Sequence, residues 1–133
     1  MAKPIAKAQD QVVAVDQHMV MVPTAGGPVP TMLPHPFTGM LDGGLAATVK
    51  AGGQAVATVD STASNQPPHL PTPPGTSFQS PPADSGTVML GSQTVKIAGK
   101  AAARAGDTVR TCNDPADQPV GQIIAAGTVL VGG

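Results

Sequence analysis

The feature that most constrains this chain is a repeat whose third copy is shared between its two ends. Thr48–Ser61 reads TVKAGGQAVATVDS and Thr94–Asp107 reads TVKIAGKAAARAGD, in register at an offset of 46 residues. The identities are Thr48/Thr94, Val49/Val95, Lys50/Lys96, Gly53/Gly99, Ala55/Ala101 and Ala57/Ala103. GTVLVGG (Gly127–Gly133) matches the first half of the unit, and KPIAKAQD (Lys3–Asp10) matches the second half. A unit divided in this way places the last strand beside the first and predicts a sheet that closes on itself. The expected object is one all-β domain over residues 1–133 with a pseudo-threefold internal repeat. Its copies lie at about 44–61 and 91–107, and the third is split between 127–133 and 3–10.

Each copy reads as a short strand, a Gly turn and a second short strand. Alternation in Thr94-Val95-Lys96-Ile97 suits a period of two, and Gly and Ala permit tight turns and close backbone approach. Gly99–Ala105 is the best helix candidate, but its counterpart Gly53–Val59 contains β-branched residues, so both are read as strands. Between the copies lie the Pro/Gly-rich stretches Val22–Pro36, Gln66–Gly75 and Ser80–Gly86. Proline fixes φ and removes a donor, so these are ordered extended or turn segments, or else flexible linkers.

Composition adds a second constraint. The chain has 16 Gly and 15 Pro, no Trp or Tyr, and two Phe, Phe37 and Phe78. An aromatic side chain buries about 150–250 Å², so a core without them is thin and calls for a staple. One cysteine excludes an internal disulfide, leaving a metal or a partner. The net charge of −1 and scattered basic residues lack the basic stripe of a nucleic-acid binder. MAKPIAKAQDQ has no apolar core of a signal peptide, and no apolar run approaches the roughly 20 residues of a membrane span. The expectation is synthesis in the cytoplasm without a signal peptide.

The candidate ligands fall in register with the repeat. His18 follows Asp10 by eight residues, His69 follows the equivalent Ser61 by eight, and Cys112 follows the equivalent Asp107 by five. A lone His in a Pro-rich loop is ordinarily solvated, and a lone buried Cys ordinarily acts as a small hydrophobe. Register argues for His18, His69 and Cys112 as ligands, because three strand ends of a closed threefold sheet converge on its axis. His35, within Pro34-His35-Pro36, rests on composition alone as the fourth. Three imidazoles and a thiolate make a closed structural zinc site, although no CxxC or HxxxH spacing occurs. Imidazole serves iron as well, and the thiolate tilts the choice toward zinc.

Catalytic readings fare worse. Cys112 with a His and an Asp lacks a strand–nucleophile–helix setting, and its thiol would compete with its own use as a ligand. Asp16, Asp42, Asp60, Asp84 and Asp114 read as isolated turn residues. The pieces GGP, DGG and AGG match no phosphate-binding loop.

GKAAARAGDTVRTC (Gly99–Cys112) resembles the proline-alanine-alanine-arginine (PAAR) motif family, with Ala101 in place of the motif's proline and Arg104 in place of its arginine. DQHMVMVP (Asp16–Pro23), PVPTMLPHPFTG (Pro28–Gly39) and GSQTVKIAGK (Gly91–Lys100) extend the resemblance to the PAAR-like branch of contractile injection systems. The other two copies carry Thr58 and Lys7 where Arg104 stands, so one copy keeps the naming arginine.

The resemblance implies a small cone of short strands with one structural metal ion near the apex. It carries His18, His35, His69 and Cys112 over as ligands. It also implies a non-enzymatic tip, one monomer on the trimeric VgrG-like spike of type VI secretion or an extracellular injection particle. Such a tip contacts a membrane transiently on puncture and is delivered out of the cell or into a target. The competing readings are an adaptor that docks effector toxins through Val22–Pro36 and Gln66–Pro82, and a small metallohydrolase, which needs an open coordination position.

Overall fold

In the computed structural model, which describes residues 2–132, the chain forms β-strands joined by turns, with no helix among the described residues. Numbered along the chain, these are β1 (Lys3–Pro4), β2 (Gln11–Val22), β3 (Val29–Gly43), β4 (Ala46–Ala51), β5 (Gln54–Val56), β6 (Thr62–Asn65), β7 (Ser77–Phe78), β8 (Ser85–Val88), β9 (Lys96–Ile97), β10 (Lys100–Ala101), β11 (Thr108–Thr111), β12 (Gln118–Ile124) and β13 (Leu130–Val131).

Each repeat copy builds the same two pieces. The first is a small hairpin: β4/β5, β9/β10 and, from the split copy, β13/β1. The second is a pair of antiparallel strands, β2/β3, β6/β8 and β11/β12. The three pairs join edge to edge in the order β12-β11-β8-β6-β3-β2, and β2 pairs with β12 to close the sheet into a six-stranded barrel. Closure leaves no open edge around the ring. β7 adds to β2 at Val20 and Met21, towards the far end of that strand.

The threefold order is carried by hydrogen bonds between copies. Ala6 N–H donates to the Ala103 carbonyl, Ala103 N–H to Ala57, and Ala57 N–H to Ala6, at 2.9, 3.0 and 2.9 Å. Each link is flanked by an isolated bridge, Ile5 with Arg104, Thr58 with Ala102 and Lys7 with Val56. Three backbones this close to one axis leave room for a methyl group and little more, which is why all three positions are Ala and fully buried. Ala57 and Ala103 fall in register in the repeat, and Ala6 occupies the same place in the split copy.

After each Ala the chain makes the same turn. Gln9, Asp60 and Gly106 all have left-handed φ values, of 71°, 77° and 83°. The side chain one residue on, Asp10, Ser61 or Asp107, accepts a hydrogen bond from the backbone N–H of Lys7, Thr58 or Arg104. Local side-chain acceptors of this kind satisfy turn amides that have no ladder partner.

The core stacks in matching layers. Above the Ala ring sit Val12, Ala63 and Val109 on the outgoing strands, and Leu41, Val88 and Ile123 on the returning ones, all buried. Phe37 and Cys112 close this cluster on the far side. A second cluster of Ile5, Ala51, Val56, Ala102 and Val131 fills the space under the small hairpins, with Val95 and Ile97 packed against it. We call the hairpin end the platform and the opposite end the apex.

At the apex the symmetry breaks. β2 and β3 run 12 and 15 residues, against four for β6, β8 and β11. Pairing extends from Gln11↔Met40 to Val22↔Val29, well beyond the barrel. Most of the Pro-rich stretch Val22–Pro36 is therefore strand, the extended alternative. The backbone shows how three prolines fit. Thr38 N–H donates to Asn65 Oδ1 and its carbonyl accepts from Gln66 N–H, so residues of this parity turn their polar groups away from β2. Pro30, Pro34 and Pro36 share that parity, where proline costs no β2–β3 ladder bond and blunts the outer edge. The Gln66–Gly75 stretch contains no strand and crosses over this face.

The expectation of an all-β object of short strands is met, β2 and β3 being the long exceptions. Met1, and Gly133 at the end of the split copy, lie outside the described residues.

Candidate metal centre

Beyond the last apolar layer, polar side chains replace the hydrophobic core. Along β2 the buried residues alternate as Val12, Asp16, His18 and Val20, with Ala14 half-buried, so the period-two face that lines the barrel continues into a carboxylate and an imidazole. β3 brings His35 and Phe37 by the same alternation. The loop after β6 brings His69, and the first residue past β11 brings Cys112. All five polar groups are buried, Asp16 completely.

The three side chains expected from register, His18, His69 and Cys112, lie together, one from each copy, and His35 packs beside them. The rings of His18, His35 and His69 pack with centroids 5.1–5.6 Å apart. Phe78 covers His18 and His35 at 5.9 and 5.3 Å. Donor atoms of Asp16, His18, His69 and Cys112 all lie within 4.8 Å of one another. His35 is outside this set. Its Nδ1 lies 2.9 Å from the Leu33 carbonyl and its Nε2 accepts from Thr72 N–H at 3.1 Å, an arrangement that defines an Nδ1–H tautomer. Burial first, and then the neighbouring His18 and His69, hold His35 below the ordinary imidazole range, against the pull of the Leu33 carbonyl.

Asp16 is the residue that sequence reasoning missed. It was expected in a turn, yet it sits mid-strand with a fully buried side chain. Its Oδ1 accepts from the Thr111 hydroxyl and from Asn113 Nδ2 at 3.3 Å. Its Oδ2 lies 2.9 Å from His69 Nε2 and 3.5 Å from Cys112 Sγ. The alternation Val12, Ala14, Asp16, His18, Val20 was the signal that could have placed it on the inner face.

The remaining contacts orient the rings. His18 Nε2 is 3.7 Å from Cys112 Sγ, while its Nδ1 has no hydrogen-bond partner and faces Asp114 Oδ2 at 3.5 Å. Asp114 is fixed there by Met19 N–H, and the neighbouring Asn113 side chain accepts from Gln17 N–H. The loop of His69 is held by Asp84, which accepts from His69 N–H at 2.8 Å. Burial, with Asp16 next, pushes the Cys112 thiol up to about 12. In the absence of a cation this thiol keeps its proton at neutral pH.

The donor chemistry fits a metal. A fully buried carboxylate is costly unless a cation compensates it, and no Lys or Arg reaches Asp16 among the described residues. An imidazole nitrogen, a thiol and a carboxylate oxygen around a shared centre form a set that zinc accepts. With ordinary zinc bond lengths, tetrahedral ligand atoms sit about 3.5 Å apart. The His18–Cys112 and Asp16–Cys112 separations of 3.7 and 3.5 Å agree with that spacing.

Residues 79–133 match the family model described as the PAAR motif. The matched stretch is less than half of the chain; it holds Arg104, Asp107 and Cys112 but none of the histidines. The match supports a spike-tip role in contractile injection systems, and with it association with a spike. No curated protein matches the chain. Among the described residues, no helix is long and apolar enough to cross a membrane.

Proposed function

We propose that this chain is a structural, metal-stabilised tip that seats its platform on the blunt end of a trimeric, VgrG-like spike, without enzymatic activity of its own. The observation that carries the reading is the cyclic Ala6–Ala103–Ala57 hydrogen-bond ring, with one small hairpin from each copy around it. A single chain thereby offers a threefold surface, which is what a monomer needs in order to engage three identical subunits equally. Val49, Leu90, Val129 and Leu130 are exposed apolar residues on or beside the three hairpins, and contact with a partner would cover them.

The apex has a different task. A tip driven through an envelope is loaded by force, and resistance to force follows the unfolding rate. A metal joining side chains of all three copies ties β2, the loop after β6 and the end of β11 together where the barrel ends. In this reading His18, His69 and Cys112 are the arms of one structural metal site. The thiolate and imidazoles favour zinc, with iron as the alternative. Two side chains compete for the fourth place, His35 and Asp16. When bound, the metal supplies structural cross-linking, and its binding free energy adds to that of folding.

The test is assembly with a purified trimeric spike fragment, read by native mass spectrometry beside elemental analysis. The expected result is one chain per trimer and about one metal per chain. Leu130→Glu, on the platform, should abolish the complex while leaving metal content intact. Failure of the wild-type chain to bind the spike would remove the docking reading.

A further inference from the structure

We propose that the spike end that receives this platform is acidic, each of its three subunits presenting a carboxylate to one lysine, Lys3, Lys50 or Lys96. The proposal rests on the docking reading above and adds to it the charge of the partner's surface.

The repeat places the lysines. Lys50 and Lys96 stand opposite Ala55 and Ala101, at one register position of two hairpins, and in the split copy that position is Leu130 opposite Pro4. On the other strand Gln54, Lys100 and Lys3 form a second such set, opposite Ala51, Ile97 and Val131. Each set holds two lysines and one neutral residue. The neutral members, Leu130 and Gln54, belong to different hairpins, so every hairpin keeps a lysine. β9/β10 has two, but Lys100 faces Asp60 at 3.7 Å, which offsets its charge locally. Lys3, Lys50 and Lys96 are exposed and have no ion-pair partner among the described residues. The platform thus carries one uncompensated positive charge per hairpin, in the threefold order of its backbone.

Negative charge is kept elsewhere. None of the chain's Asp residues lies on a hairpin strand, and it has no Glu. Asp10, Asp60 and Asp107 sit in the turns after the Ala ring, where Asp10 and Asp107 are bonded to Lys7 and Arg104. Asp16 and Asp42 lie on barrel strands, and Asp84, Asp114 and Asp117 in the apical loops. Like charges gathered on one surface repel each other, and an anionic partner converts that repulsion into attraction. A cationic platform opposite an anionic apex also turns the chain the right way round as it approaches a negative surface.

What lies among the lysines selects the anion. Val49, Val129 and Leu130 are exposed on or beside the same hairpins, so the partner is apolar between its charges, as the end of a folded protein is. Phe37 and Phe78 lie towards the apex, which leaves no aromatic ring beside the lysines for a nucleic-acid base to stack on. An anionic membrane would meet both charge and apolar residues but imposes no threefold spacing. One lysine for each of three identical subunits is a match that a trimer alone rewards.

The experiment follows association and dissociation of the full chain on a purified trimeric spike fragment. Between about 50 and 500 mM salt the association rate should fall at least about 10-fold, with dissociation little changed. Replacing all three lysines (Lys3→Gln, Lys50→Gln, Lys96→Gln) should slow association by about 10-fold at low salt and flatten the salt dependence. Melting should stay unchanged, because the three sites are exposed. Lys50→Gln alone should slow association more than Arg110→Gln, which removes the same charge from the barrel wall. The triple reversal (Lys3→Glu, Lys50→Glu, Lys96→Glu) should abolish binding, and a spike whose facing carboxylates are replaced by Lys should restore it. Salt-independent association of the wild type, or a triple Gln variant that associates like the wild type, would overturn the acidic partner while leaving docking intact. Equal binding to vesicles containing phosphatidylserine would overturn it as well, as attraction to any anionic surface. A wild-type chain that binds the spike at no salt concentration would instead remove the docking reading, and this proposal with it, so the failures are told apart.

Discussion

The platform and the apex are built from the same three repeat copies and obey opposite rules. At the platform every position has two counterparts: Ala6, Ala57 and Ala103 in the ring, Gln9, Asp60 and Gly106 in the left-handed turn, Leu41, Val88 and Ile123 in the core layer above. At the apex no position does. One copy sends out a 12- and 15-residue hairpin, another a long loop whose one strand is the two-residue β7, and the third turns back soon after Thr111. Backbone hydrogen bonds around an axis demand equality, because each copy must present the same N–H and C=O to the next. A metal demands only donor atoms at the right places, so each copy can reach it by a different route. Symmetry is kept where three backbones meet and abandoned where three side chains meet.

The largest test of this contrast is removal of the metal. Chelation, or His18→Ala, should cost at least about 3 kcal/mol, roughly 10 °C or more in melting temperature. The loss should be local: amide exchange of Gln17, Met19 and Thr72 should accelerate, while Ala6, Ala57 and Ala103 stay protected until global unfolding. Uniform acceleration would mean that the two ends are one cooperative unit and the contrast is only geometric.

Next in size is Arg104. Its guanidinium makes two bonds to the buried Asp107 carboxylate, which raises its pKa, and it also reaches the Gly91 carbonyl. Arg104→Ala leaves Asp107 buried and unpaired and should cost about 3 kcal/mol by urea unfolding. Ala57→Val should cost about 2 kcal/mol, because the ring has no room for two more methyl groups. A neutral outcome there would show that the ring relaxes and that its Ala residues are not steric choices.

A fourth test uses pH on the metal-free chain. Burial, and after it Asp16, push the Cys112 thiol from its ordinary range up to about 12. A raised folded-state pKa means that the unfolded chain ionises first, so the contribution is fully present below pH 9 and lost as pH rises towards 12. The loss should approach about 1.4 kcal/mol per pH unit in that window and be absent in Cys112→Ala. The smallest effect is expected at Lys7, whose ion pair with Asp10 is more exposed than the Arg104 pair; Lys7→Ala should cost at most about 1 kcal/mol. Equal costs at Lys7 and Arg104 would restore the symmetry between copies that their side chains deny.

How far the fold was legible follows the same division. The closed, pseudo-threefold sheet and the adjacent ends were readable because the repeat records the backbone contacts between copies: Ala57 and Ala103 recur at one offset since the ring leaves no alternative. The convergence of His18, His69 and Cys112 was readable for a related reason, since each follows its copy's turn by a similar interval. What lay outside the repeat was harder. The Pro-rich stretch hid the outer half of β3, because proline ordinarily marks a break, and its compatibility here depends on a parity visible only once β2 is paired. Asp16 was hidden by residue type. Asp favours turns in general, and its burial on a strand depends on Thr111, Asn113 and His69, which arrive from two other copies. His35 illustrates the converse: composition placed it in the cluster, but which atoms its nitrogens face depends on Thr72.

The Ala ring also sets a timetable. Ile5 N–H donates to the Val129 carbonyl and Lys3 pairs with Val131, so the first strand has no place to rest until the last one exists. During synthesis the middle copies can form their hairpins, but the opening residues must wait, unpaired, for nearly the whole chain to emerge from the ribosome. Contacts of such sequence separation make folding slow to begin and cooperative once begun. The barrel is a hoop whose clasp is forged last.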